Sequence, residues 1–296
     1  MPTLLQRISL YSIYLLALLT PIFFLPFTSE FLEFNKQYLL YGAVTLGFLA
    51  WLIRGLLERI FLIKRTTLDL PLLILLGATL LSSLFSKDRP LSFFGGYQSL
   101  SWGWIPLTFY LLFYFLSVQH LDKERGRSAL LWLATGGGVA MLYFWVRVLR
   151  IPILPVGFPS WNPAYALNSR VAVFCLVLLM IGFLELLWRK QQGKGKKIFW
   201  SAVVALSLST VVGMGYSYVL VLGTIGLGLL LLALMQRMEG ANMVVASVLL
   251  AAFVLMLTFT LFRVPSFLTV QGPTEIALAH RTSWRIGADT LKEGAV

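Results

Sequence analysis

From the first residues to Phe262 the chain alternates long apolar runs with short polar or charged clusters. The runs lie near Leu10–Phe27, Tyr38–Leu57, Leu70–Phe85, Trp102–Val118, Ala129–Trp145, Val171–Trp188, Ile198–Val212, Tyr218–Met235 and Met243–Phe262. A bilayer core is crossed by about 20 helical residues. Within it every backbone N–H and C=O must find a partner inside the segment, which a helix provides. The pattern therefore predicts an all-α, polytopic helical membrane protein of about nine transmembrane helices, with residues 1–262 as the bundle. The seventh and eighth runs are separated only by "GMGYS", residues 213–217. The first run is not a cleaved leader, because "TPIFFLPF" lacks a small-residue cleavage site and further spans follow directly.

Residues 263–296 have a different rhythm. Thr274 suits a helix N-cap and Glu275 the positive first turn. Ile276, Ala279, Ser283, Trp284, Gly287 and Leu291 then recur at three- and four-residue spacing. Arg281, Arg285 and Lys292 occupy much of the other side, and Gly294 suits the C-terminal cap. This predicts an amphipathic helix over 274–293, anchored by Trp284, on the outer membrane surface or over a cavity mouth.

Composition narrows the class. Of 296 residues, 58% are hydrophobic and only 12% charged, against about a quarter charged in soluble domains; the mean hydropathy is +0.84. The single cysteine, Cys175, excludes internal disulfides and cysteine metal sites, and two histidines, His120 and His280, make a histidine-rich metal site a poor reading. No metal and no cofactor are expected. The net charge of +12 fits loops facing anionic lipid better than nucleic acid.

Charge placement sets an orientation. Arg7, Arg237 and the clusters Arg54/Arg59/Lys64/Arg65, Lys123/Arg125/Arg127 and Arg189/Lys190/Lys194/Lys196/Lys197 fall on one side, fourteen of the 24 basic residues. The positive-inside rule makes that side cytoplasmic. The N-terminus is then inside, and after nine spans the tail from Arg263 is extracytoplasmic. "GKGKK" at 193–197 reads as a solvated cytoplasmic turn. The outward loops 86–104 and 150–170 are instead rich in Pro, Gly, Trp and Tyr, which serve turns and interfacial aromatic belts equally well.

Chemistry-bearing residues are sparse in the spans. Glu185 and Arg147 lie near span ends, where snorkelling accounts for them. No series of buried acids supports an ion-coupled pump, and no phosphate-binding glycine loop supports ATP-driven work. "ATGGGVA" at 134–140 reads as close helix packing through small residues. The outward face carries Arg89, Arg150, Arg170, Arg263, Arg281 and Arg285. The planar, permanently charged fork of arginine suits a phosphate or diphosphate, and also simple contact with lipid headgroups.

Three stretches in series resemble the O-antigen ligase-like family, which includes O-antigen polymerases and protein O-oligosaccharyltransferases. "LLSSLFSKDRPLSFFGGYQSLSWGWIPLTFYLLFYFL" at 80–116 is similar to the family's serine-ended third span, its short outward loop and the aromatic span that follows. "FPSWNPAYALNSRVAVFCLVLLMIGF" at 158–183 is similar to its Asn-Pro segment opening a span. "HRTSWRIGADTLKEGAV" at 280–296 is similar to the arginine-then-tryptophan helix that opens its large outward loop. The family's arginine lies four residues before the tryptophan, whereas here Arg281 lies three before Trp284 and His280 four before. Both places share a helix face.

The resemblance implies metal-independent glycan transfer from a polyprenyl-diphosphate carrier to a lipid, glycan or protein acceptor, at the outer face of the cytoplasmic membrane. It makes Arg170, Arg281, Arg285 and Arg89 the donor-binding residues and His280 the outward histidine available as base. The main base is expected beyond Val296, with residues 263–296 as the start of a large extracytoplasmic loop and the chain as the N-terminal part of a longer enzyme. The competing readings are a polytopic transporter or lipid flippase, against which stands the lack of visible internal symmetry, and an inactive truncated membrane fragment.

Overall fold

The computed structural model describes residues 2–23, 33–59, 61, 63–95, 103–149, 169–188, 193–235 and 243–262. Among the described residues there are ten helices and no strand. They are α1 (Pro2–Leu19), α2 (Glu33–Glu58), α3 (Asp69–Leu84), α4 (Arg89–Phe94), α5 (Trp104–His120), α6 (Lys123–Val148), α7 (Ser169–Trp188), α8 (Lys194–Met214), α9 (Ser217–Met235) and α10 (Met243–Phe262). The all-α class holds. Among the described residues, five stretches are long and apolar enough to cross a membrane: Asn35–Glu58, Lys123–Val146, Lys194–Met214, Ser217–Leu234 and Val245–Phe262. Leu4–Leu19, Asp69–Leu84 and Val171–Leu187 are shorter apolar helices. The expected amphipathic helix at 274–293 lies outside the described residues.

Each of the nine apolar runs overlaps a helix, with differences that have local causes. The first helix runs from Pro2 to Leu19 rather than from Leu10 to Phe27. Thr20 precedes Pro21, and a residue before proline is driven out of the helical region. The loop expected at 86–104 contains α4. There Asp88 caps the helix by accepting from the Leu91 N–H at 3.2 Å, and Pro90 sits in the first turn, where it gives up no hydrogen bond. The "GKGKK" stretch is not a turn, because Lys194, Lys196 and Lys197 form the first turn of α8.

Contacts between helices define the bundle. α1 packs on α2, α5 and α6, and α2 also meets α5. α3 and α4 lean on α5, while α7, α8, α9 and α10 pack on one another and reach α6 through α7 and α8. One core joins α6 to α10 around Phe183, Trp200, Leu178, Leu227 and Met256, all essentially inaccessible. A smaller core joins Leu16, Ala43 and Val44 to Phe109, Leu112 and Phe113.

In hydrocarbon, burying leucine brings no solvent-driven gain, so close packing and buried hydrogen bonds decide which helices associate. The α1–α6 contact is of this kind: a Cβ at Gly136 would lie 2.1 Å from the carbonyl oxygen of Leu18, so only glycine lets the two backbones meet. The buried Ser9 hydroxyl donates across to the Gly47 carbonyl on α2 at 2.9 Å. Trp145 on α6 donates its indole N–H to Thr210 on α8 at 3.2 Å.

The outward faces are as apolar as the core. Leu222, Ile225, Leu229 and Leu232 form an exposed stripe on α9, while Val219, Leu220 and Leu227 point inward. On α3 Leu70, Leu73, Ile74 and Leu81 are exposed and Ser83 is the buried residue. Water would penalise such continuous apolar surface; lipid does not. Helix length and outer surface together are the features expected of a helical membrane protein.

Candidate functional site

Side-chain pairings fix which helix ends lie together. Tyr114 on α5 donates to Asp69 at the start of α3 at 3.1 Å, while Trp104 at the start of α5 donates to the Leu76 carbonyl at 3.2 Å. α3 and α5 are therefore antiparallel, with α4 at the Trp104 end. On α6, Met141 and Trp145 meet Ser207 and Thr210 of α8, so those two helices run in the same direction. α7 runs back between them: Gly137 stands beside Phe174 and Leu178, and Gly182 beside Val204.

Two of the arginines expected to bind donor thereby share one end of the bundle. Arg89 is the first residue of α4 and is exposed. Arg170 is the second residue of α7, at the end to which α6 rises; its side chain lies outside the described residues, as do Arg281, Arg285 and His280 altogether. Around Arg89 the hydroxyls form a local net, with Ser92 donating to the Ser86 hydroxyl at 2.7 Å and the Ser83 hydroxyl 3.4 Å from the Ser92 carbonyl. The ends of the following segment meet, since a Cβ at Gly103 would lie 2.5 Å from the Gly95 nitrogen. Gly95 itself has φ 82°, a conformation that other residues adopt only with strain. Phe93 closes edge-on against Trp104 at 5.8 Å between ring centres. α4 is thus a tethered shelf that presents an arginine at the bundle end.

The opposite end holds a polar cavity of about 380 Å³ that sequence reading missed. Gln6 reaches it from α1, and Trp51, Arg54 and Glu58 from the last turns of α2. Phe61 and Lys64 come from the α2–α3 connection, and Gln119, His120, Asp122 and Arg125 from the α5–α6 junction. The connection is held in place twice. The Lys64 N–H donates to the Gln119 side-chain oxygen at 3.1 Å, and the Gln119 amide returns to the Lys64 carbonyl at 3.3 Å. Beyond it Thr66 bonds Asp69 through both its N–H and its hydroxyl, at 2.7 Å each, and also contacts the Tyr114 hydroxyl. Those donors, the Thr66 N–H first, hold the Asp69 carboxyl below its ordinary proton affinity.

Ion pairs line the cavity: Arg54 Nε to Glu58 Oε1 at 3.0 Å, Lys64 Nζ to Asp122 Oδ1 at 3.2 Å and Arg125 Nη1 to Asp122 Oδ2 at 3.8 Å. His120 is buried, two residues past the run that ends at Val118, with Nδ1 3.0 Å from the Leu116 carbonyl. A carbonyl only accepts, so the proton sits on Nδ1 and leaves Nε2 bare. Burial, followed by the charges of Arg54, Lys64 and Arg125, lowers the imidazole's proton affinity, while the Leu116 bond opposes the shift. Among the described residues no group of three metal-ligating side chains occurs.

No signal within any one stretch marks this cavity. Its lining comes from separate segments of ordinary loop composition, and only the helix pairing unites them. No family model matches the chain, and neither a curated protein nor a solved structure matches it.

Proposed function

We propose that the protein is a membrane glycosyltransferase of the O-antigen ligase-like kind. It takes a glycan from a polyprenyl-diphosphate carrier at the outer face of the cytoplasmic membrane and passes it to a lipid, glycan or protein acceptor. The observation that carries this reading is the serial order of the three stretches at 80–116, 158–183 and 280–296. The bundle supports it by setting Arg89 and the start of α7, with Arg170, at one common end. In the proposed topology of nine spans with a cytoplasmic N-terminus, that end is extracytoplasmic.

The chemistry asks for neutralisation of the leaving diphosphate, the role given to Arg170, Arg281, Arg285 and Arg89, because charge developing in the transition state is stabilised by donors already in place. It also asks for a base near the acceptor hydroxyl, the role given to His280. The carrier's hydrocarbon tail stays in lipid beside the apolar helices. The test is glycan transfer from a polyprenyl-diphosphate donor in membranes expressing the gene's entire reading frame. Arg170→Lys and Arg281→Lys should each lower transfer while membrane insertion stays intact; losing a charge-assisted contact costs about 1.5–3 kcal/mol, roughly 10- to 150-fold. Wild-type transfer by both variants would make these arginines headgroup anchors.

A further inference from the structure

We propose that the cavity between the ends of α1, α2, α5 and α6 is a binding site for a singly charged phosphoryl group, carried by an anionic lipid headgroup or by a free phosphate. The proposal stands apart from the glycan-transfer reading, whose described residues, Arg89 and the start of α7, lie at the other end of the bundle.

Charge comes first. Arg54, Lys64 and Arg125 face the cavity against Glu58 and Asp122, so with a neutral His120 one positive charge is left over. One monoanion makes the cavity neutral. A single carboxylate, Asp122, serves both Lys64 and Arg125, the second at 3.8 Å, so neither cation is fully matched. Both pairs are more than two-fifths exposed on each side chain, and exposed pairs are weakly held and readily exchange partners. An entering phosphoryl oxygen can therefore take over from Asp122.

Shape and place agree with charge. A volume of about 380 Å³ falls in the range of small-ligand sites, about 300–1,000 Å³, and suits a phosphoglycerol-sized group. The Gln119 amide is fixed to the Lys64 backbone, so the loop bearing the lysine is already in position. Arg125 reaches back to the His120 carbonyl at 3.4 Å, which holds its fork at the cavity edge. α6 begins at Lys123, between the lining residues Asp122 and Arg125, and a helix start adds partial positive charge. Trp51 and Phe61, edge-on at 6.0 Å, give the cavity an aromatic wall. These groups sit where apolar helices give way to charge, the depth at which lipid phosphates lie.

The test is native mass spectrometry and thermal unfolding of the full chain in detergent. The probes are dioleoyl phosphatidylglycerol and inorganic phosphate, the latter against chloride at equal ionic strength. Wild type should bind at least one probe saturably. Lipid alone would identify a headgroup site, and phosphate alone a site for a soluble phosphoryl compound. The double variant Lys64→Ala/Arg125→Ala should bind about tenfold or more weakly, while Arg127→Ala, outside the lining, should match wild type. Asp122→Asn frees both cations and should bind more tightly, a gain that a folding defect does not imitate. Binding of neither probe, equal binding by all variants, or weaker binding by Asp122→Asn would overturn the proposal.

Discussion

Gly136 and Gly138 stand two residues apart on α6 and meet opposite surroundings. A methyl at Gly136 would press on the Leu18 carbonyl of α1, whereas one at Gly138 would have nothing within 4 Å. Overpacking against backbone costs about 1–3 kcal/mol, and replacing a helix-interior glycine by alanine in open space gains about 0.5–1 kcal/mol. Gly136→Ala should therefore lower the thermal unfolding midpoint in detergent and Gly138→Ala raise it; equal shifts would contradict the α1–α6 contact. His120 makes a second prediction at this scale. Its folded-state proton affinity is depressed below the ordinary 6.5, with burial as the main cause, so protonation favours the unfolded chain. The stability it confers is complete above pH 6.5 and is lost as pH falls through the lowered folded value. Unfolding followed from pH 7.5 to 5 should show this loss, and His120→Gln should flatten it.

At the scale of elements, the apolar runs mark each of the nine long helices among the described residues, because a segment in hydrocarbon must satisfy its own backbone. Boundaries were harder, since charged and polar residues continue a helix into the interface without an apolar signature. α2 begins at Glu33 and α6 at Lys123, ahead of the runs from Tyr38 and Ala129. The lysines that open α8 oppose its dipole, so that charge pattern pointed away from a helix. α4 was legible in principle from Asp88, Pro90 and the glycines after it, but its six residues are too few for a period to register. The small-residue stretch 134–140 reads as a packing seam, and Gly136 and Gly137 do meet α1 and α7. The cavity was not readable, because Gln6 and Arg125 come together only through helix pairing.

At the scale of the molecule, orientation is open to direct measurement because Cys175 is wholly buried. A membrane-impermeant maleimide should thus report only introduced thiols. Lys87→Cys, between α3 and α4, should label in intact cells, and Lys123→Cys, at the start of α6, only after permeabilisation. Labelling of both from one side would refute the proposed topology. The glycine contact between α1 and α6 also has a consequence for the order of biosynthesis. Leu18 leaves the ribosome roughly 120 residues before its partner Gly136, an interval of about 6–24 s at 5–20 residues per second. During that interval α1 has α2 as its neighbour, tied through Ser9 and Gly47. The α1–α2 hairpin is then the unit that waits in the membrane, and a lesion in the Ser9–Gly47 tie would expose the nascent chain to quality-control proteases before α6 has been made.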